Sequence, residues 1–363
     1  MPKYIYEHGG YPEFTWDSEA VLESLTAVAG AQGRLLGKMR QFGFGTQQEA
    51  MLNAMTEEIV KSNEIEGEIL NSEQVRSSLA QRLNMDLPQN GVSSRYVDGA
   101  VETMLDATAK HHLPLTRKRL FGWHASLFPT GWSGMRKINT GKFRTDEIRV
   151  ISNRRGHEVI HYEAPLPCDV PPQMDVFTKW FNKKNNANPI LKSAVAHLWF
   201  VIIHPFDDGN GRLARTITEM ALSRSENTSL RFYSMSAQIQ REKKDYYRVL
   251  ELTTKGGLDI TAWLEWFAGC LVRAIGNAEI LTGKVLVKAE FWRKNSASIH
   301  NENQRRILNL LLDGFAGNMT SGKVAKICKI SQDTATRLLQ DLVDKNILEV
   351  RGGGRSTHYV LKT

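Results

Sequence analysis

Apolar residues recur at helical spacing through most of this chain, and that periodicity is the strongest limit on what it can fold into. Val21, Leu22, Leu25 and Val28 lead toward Leu35, Leu36 and Met39, with Asp17 or Ser18 placed to cap the start. Thr46-Gln47-Gln48-Glu49 has the form of a capping box, and Met51, Leu52, Met55 and Ile59 carry a second helix up to Ser62. Further helical patterns cover about Ser93 to Lys110, Thr116 to Phe128, Pro172 to Lys183, Asn188 to Ile203, Arg212 to Ser223, Glu242 to Thr253 and Leu258 to Ile280. The expected fold class is mainly α, a helical bundle.

One strand pair interrupts the bundle, Ile148 to Ile151 and Glu158 to Tyr162, separated by Ser152-Asn153-Arg154-Arg155-Gly156. That spacing predicts a β-hairpin, here called the flap. From about Asn303 the texture changes. A helix through Ile307, Leu308, Leu311 and Leu312, a second from Val324 to Cys328 and a third from Ser331 predict a helix-turn-helix. Ile347 to Val350, the turn Gly352-Gly353-Gly354 and Thr357 to Leu361 follow as the two strands of a wing. The expected domains are a helical region over 1–92, a core over 93–280, a helical linker over 281–302 and a winged helix-turn-helix over 303–363.

A chain of 363 residues is long enough for more than one core, and 41% hydrophobic with 24% charged residues is the balance of a globular protein. Cys168, Cys270 and Cys328 are scattered and odd in number, which suggests neither a disulfide framework nor a metal clip. No run approaches the ~18 apolar residues of a membrane span, and the expected location is the cytoplasm. The net charge of +8 leans toward the C-terminus: residues 301–363 hold ten Lys/Arg against six Asp/Glu, which is compatible with an acidic partner such as nucleic acid.

The stretch His204-Pro205-Phe206-Asp207-Asp208-Gly209-Asn210-Gly211-Arg212-Leu213-Ala214-Arg215 lies between two helical patterns. Gly209-Asn210-Gly211 can adopt positive φ at little cost and turn successive N–H groups inward as an anion nest. The helix that begins there adds its N-terminal partial positive charge. Arg212 and Arg215 are three apart and share a face, so two guanidinium groups can approach one polyphosphate. A carboxylate at Asp208 would repel phosphate unless a divalent cation lay between them, and Mg²⁺ takes carboxylate and phosphate oxygens together. His204 is a base near neutral pH. Phe206 is expected in the core. Together these residues describe nucleotidyl or phosphoryl transfer.

This stretch resembles the Fic family, whose hallmark is HxFx(D/E)GNGRxxR, and every constrained position is met. The resemblance spans roughly Tyr96 to Val272. It implies a protein adenylyltransferase in which His204 deprotonates a hydroxyl side chain of a target protein, the oxygen attacks the α-phosphorus of ATP, and pyrophosphate leaves. By the same resemblance Asp208 holds Mg²⁺, Gly209, Asn210 and Gly211 bind phosphates, Arg212 contacts the α/β region and Arg215 the γ-phosphate. Gly141-Lys142-Phe143-Arg144-Thr145 leads into the flap, where Val150, Ile151, Ser152 and Asn153 are expected to hold the target by strand addition. Tyr246 and Tyr247 fall on the adenine-side helix, although a tyrosine pair on a helix also suits ordinary core packing.

Ser62-Asn63-Glu64-Ile65-Glu66-Gly67 matches the family's inhibitory pattern (S/T)xxxE(G/N). Ser62 and Glu66 are one helical turn apart, and Gly67 is expected to let another backbone come close. The resemblance implies that Glu66 pairs with Arg215 and blocks the γ-phosphate position. The first ~45 residues resemble the N-terminal segment of soluble bacterial members that end in a winged helix. In that C-terminal module Ser331, Thr334 and Arg337 are candidate DNA contacts, with protein docking equally open. A hydrolase that removes AMP with the same site, a DNA-binding regulator with a sensor core, and homodimer formation all stay open.

Overall fold

A computed structural model describes residues 2–85, 93–154, 157–184, 188–312, 314–315 and 317–362; side chains are further excluded at 153–154, 157, 284–287, 289 and 355. Two compact units result, Met1–Ala278 and Glu279–Thr363.

The first unit is helical. Helices α1 (Ser18–Arg40), α2 (Phe44–Ile65) and α3 (Ser72–Arg82) precede α4 (Arg95–Ala109) and α5 (Arg117–Leu127). After two short hairpins come α6 (Val170–Asn182), α7 (Pro189–Ile203), α8 (Asn210–Glu226), α9 (Met235–Arg241), α10 (Lys243–Thr254) and α11 (Thr261–Asn295), whose residues from Glu279 on belong to the second unit. A single apolar cluster runs from Ile5 through Val28, Leu52, Val101, Phe200 and Ile217 to Ile275, so the N-terminal helices share the core of the helices that follow them.

Local chemistry explains several boundaries. Asp17 caps α1 by accepting from the N–H groups of Glu19 and Ala20. The capping box expected at Thr46 does not form: α2 begins two residues earlier, with Gly43 at its N-cap. Thr46 N–H donates to Gly43 O instead, because the apolar face of α2 is already set by burial further along. Helices α3 and α9 were not expected. The first buries only Val75, Ser78, Leu79 and Ala80, and the second is too short to show a period.

Strand β1 (Trp132–Ser133) pairs with β2 (Arg136–Lys137), and β3 (Arg149–Arg154) pairs antiparallel with β4 (His157–Glu163). The β3–β4 hairpin is the flap, and it is longer than the pattern suggested. Ser152 and Asn153 belong to the strand rather than the connection, in register with Val159 and Glu158. A bulge between Val150 and Ile151 shifts the pairing, which breaks the period of two that a sequence reading relies on.

The second unit contains α12 (Glu302–Leu312), α13 (Ser321–Cys328), α14 (Gln332–Asp344) and an antiparallel pair of β5 (Leu348–Arg351) and β6 (His358–Leu361). Ile299, Ile307, Leu308, Val324, Leu339 and Leu342 form its own core, and a bridge from Met319 to Tyr359 ties the hairpin to the helices. The segment from 281 is not a separate linker helix, since α11 continues unbroken to Asn295.

Candidate active site

The site forms where α7 ends and α8 begins. His204 closes α7 in the left-handed conformation, φ +50° and ψ +58°, and Gly209 opens α8 at φ +78°. Only Gly209 of the expected three-residue nest is left-handed. Asn210 and Gly211 are already helical, so the inward donors here are the free N–H groups of a helix N-terminus. Asn210 does not offer its carboxamide to a ligand: Nδ2 donates to Phe206 O at 2.7 Å and Oδ1 accepts from Phe206 N at 2.9 Å, which staples the loop. Phe206 is fully buried.

His204 Nδ1 lies 3.2 Å from Val201 O. A carbonyl can only accept, so the ring hydrogen sits on Nδ1 and the lone pair is left on Nε2. Burial pushes the imidazole down to about 4. It is therefore neutral at physiological pH. Arg144, itself buried, holds the backbone beneath it: Nε donates to His204 O at 2.8 Å and the Arg144 N–H to Pro205 O at 3.0 Å.

Arg215 is only 2% exposed, and its contacts come from α2. Nε donates to Ser62 Oγ at 2.9 Å, and Nη2 donates to Ser62 O at 2.7 Å and to Glu66 Oε1 at 2.8 Å. Burial alone would lower the guanidinium, but Glu66 beside it more than offsets that and the net direction is upward. Arg212 donates to Asn63 Oδ1 at 3.3 Å and lies over the Phe128 ring, 4.7 Å from its centroid. Among the described residues, two donors in this buried cluster, Arg212 Nε and Arg215 Nη1, have no hydrogen-bond partner. Leaving such groups unpaired costs about 1–3 kcal/mol each, and donors of this kind suit an anion.

Two glycines have structural reasons that differ from those expected. Gly67 meets no atom within 4 Å of a virtual Cβ; what it needs is φ +87°, which ends α2 with Glu68 N–H donating to Asn63 O. Gly211 is the residue of close approach, because a Cβ there would lie 2.0 Å from Glu66 Oε1.

Asp208 accepts from the Ser133 hydroxyl through Oδ2. Among the described residues no three His, Cys, Asp or Glu gather as a metal cage. A cation at Asp208 would thus have one protein carboxylate and would draw its other ligands from phosphate and water, which suits Mg²⁺. The donor set fits that ion.

Tyr246 is buried, with its hydroxyl 2.9 Å from His197 Nε2 and its ring against Trp266, so it is committed to the core; Tyr247 is half-exposed beside it. On the flap, Val150 and Ile151 are exposed and the Ser152 hydroxyl is 2.6 Å from His161 Nε2, while the side chain of Asn153 lies outside the described residues. Ser133, Asn63, Phe128 and His124 also surround the site, and none carried a motif that would have announced it. In the second unit Ser331, Thr334 and Arg337 are exposed at the start of α14. Ser331 and Thr334 hydrogen-bond one another at 2.8 Å, and Ser331 caps the helix.

A helical bundle that presents a neutral imidazole and two buried guanidinium groups around a helix N-terminus has the features of an anion-binding site. Residues 114–222 match the Fic/DOC family, and residues 4–85 match a separate domain of unknown function, DUF4172. The chain is 26% identical over 242 residues to the protein adenylyltransferase Fic of Drosophila yakuba, covering 64% of this chain and 43% of that protein. The Drosophila grimshawi protein of the same name is 27% identical, covering 62% and 43%. The chain thus spans less than half the length of these relatives. In fold it is similar to a Fic family protein from Desulfovibrio desulfuricans G20, with TM-score 0.57 and 19% identity over 97% of this chain and 98% of that one. It is also similar to Fic-1 (aa134–508) from C. elegans, with TM-score 0.52 and 20% identity over 74% of each chain.

Proposed function

We propose that this protein transfers AMP from ATP to a hydroxyl side chain of a protein, and that Glu66 holds it in an inhibited state. The observation that carries this reading is the pairing of buried, partly unsatisfied guanidinium donors with a carboxylate that stands in one anion position. Arg215 meets Glu66 where a terminal phosphate would bring the same charge. The adenylyltransferase names of the relatives point the same way.

In this mechanism the N–H groups at the start of α8, with Arg212 and Arg215, bind the polyphosphate. Asp208 would hold Mg²⁺, which supplies charge neutralisation on the phosphates. Among the described residues β3 and β4 pair only with each other, Val150 and Ile151 are exposed on β3, and an extended target segment adds to a strand edge there. His204 Nε2 takes the proton of the target hydroxyl as the oxygen–α-phosphorus bond forms, and the bond to the β-phosphate oxygen breaks to release pyrophosphate. Tyr247 flanks the base side of the nucleotide. Incubation with α-labelled ATP and a lysate, compared with His204→Ala, tests the reading. Labelling that is equal in the two proteins would refute it.

The three cysteines are all free, which accords with a reducing cytoplasm. We assign the second unit as a winged helix-turn-helix that contacts DNA phosphates. Arg337 is exposed on α14 and the segment 301–363 has a net charge of +4, ten Lys/Arg less six Asp/Glu. A gel shift whose affinity ignores salt concentration argues against it.

A further inference from the structure

His124 is fully buried on α5, and its ring touches two separate segments around the site. Nδ1 is 3.0 Å from Gly141 N, Nε2 is 3.2 Å from Asp208 O, and the ring stacks on Phe206 with centroids 4.2 Å apart and planes 10° from parallel. An amide N–H can only donate and a carbonyl can only accept. A neutral ring with its hydrogen on Nε2 therefore satisfies both neighbours, and no other protonation state does. Burial keeps it neutral by pushing it down to about 4.

The two partners matter for different reasons. Asp208 is gripped from both sides, its carboxylate by the Ser133 hydroxyl and its main chain by His124. Gly141, at φ +66°, begins the segment whose Arg144 bonds the His204 carbonyl. His124 thus ties the loop before α8 to the segment that leads toward the flap.

We propose that His124 is a positioning residue: through its two ring hydrogen bonds it fixes the main chain of Asp208 where the carboxylate can meet a divalent cation on a bound polyphosphate. The metal half of this inference rests on the functional reading above. The positioning half rests on geometry alone.

The test compares His124→Phe, which keeps the stacked ring and loses both hydrogen bonds, with His124→Gln, whose carboxamide offers one donor and one acceptor. Both are made with Glu66→Gly. Calorimetric titration of Mg²⁺ into ADP-saturated protein should show about tenfold weaker binding for His124→Phe, the size of effect of leaving a buried carbonyl without its partner, with substantial recovery for His124→Gln. ADP affinity in EDTA should change little. If both variants bind Mg²⁺ as tightly as their parent, or lose it equally in step with a fall in melting temperature, His124 only fills space and the inference is overturned. If the parent itself takes up no Mg²⁺ with ADP, the magnesium reading fails, and with it the metal half. The positioning half is then decided by ¹⁵N-histidine spectra of the ligand-free protein. A slowly exchanging Nε2–H tautomer supports it, and an Nδ1–H tautomer refutes it.

Discussion

If the proposed function holds, removing the Glu66 carboxylate should raise AMP transfer. Its Oε1 accepts from Arg215 Nη2 at 2.8 Å, and it lies so close to Gly211 that no phosphate oxygen could share the space. Arg215 would keep its bonds to Ser62, so Glu66→Gly leaves the guanidinium oriented but free on one edge. A hydrogen bond to a charged group is worth about 1.5–3 kcal/mol, and the half-exposed carboxylate places this one within that range rather than above it. If that energy opposes productive phosphate binding, its loss raises transfer by roughly 10- to 150-fold at 1.36 kcal/mol per tenfold. The assay is incorporation of α-labelled AMP into protein, with Glu68→Gly as the control for a neighbouring exposed carboxylate. No gain over the unaltered protein, or an equal gain from Glu68→Gly, would refute the reasoning.

Replacing His204 with Ala should lower AMP transfer by ~10²–10⁴-fold while leaving nucleotide binding nearly unchanged by calorimetry. Because burial pushes His204 down to about 4, the base stays unprotonated well into acid, and the acid limb of kcat/KM should fall near pH 4–5 rather than near 6.5. Gly211→Ala should weaken ATP binding even with Glu66→Gly, since the methyl enters the space at the helix start; equal ATP affinities in a titration would contradict this. Stability should fall as pH drops from about 6.5 toward 4. The buried rings of His124, His197 and His204 are held at about 4, 3 and 4, so over that range the unfolded chain binds protons that the native state does not. Glu219, raised to about 7 by burial, works in the opposite sense and makes the urea-midpoint slope shallower. Glu58→Ala should destabilise the first unit by about 3 kcal/mol in urea unfolding. It removes a buried carboxylate that accepts from Ser234 Oγ, Ser236 N and Ser236 Oγ.

Much of the site was legible because its chemistry is local. A base, a carboxylate, two flexible glycines and two arginines within a dozen residues can act on one anion only if the chain turns there. The sequence contains that turn, and apolar periodicity sets the helices on either side. Ser62 and Glu66 were also readable as one face of one helix. By itself, then, the amino-acid order determined the helical class, the position of the turn and the kind of charge it can receive.

Contacts between distant segments were decided only by folding. The order of residues could not show that Gly211 rather than Gly67 is the point of close approach, since that depends on where α2 crosses α8. Nor could it show that Asn210 spends its carboxamide on Phe206, that Tyr246 is bonded to His197, or that His124 reaches both Gly141 and Asp208. Hydrogen bonds and excluded volume act between atoms, whatever their separation along the chain. Which donors are left without partners, and so what the site can accept, is settled only when the helices pack.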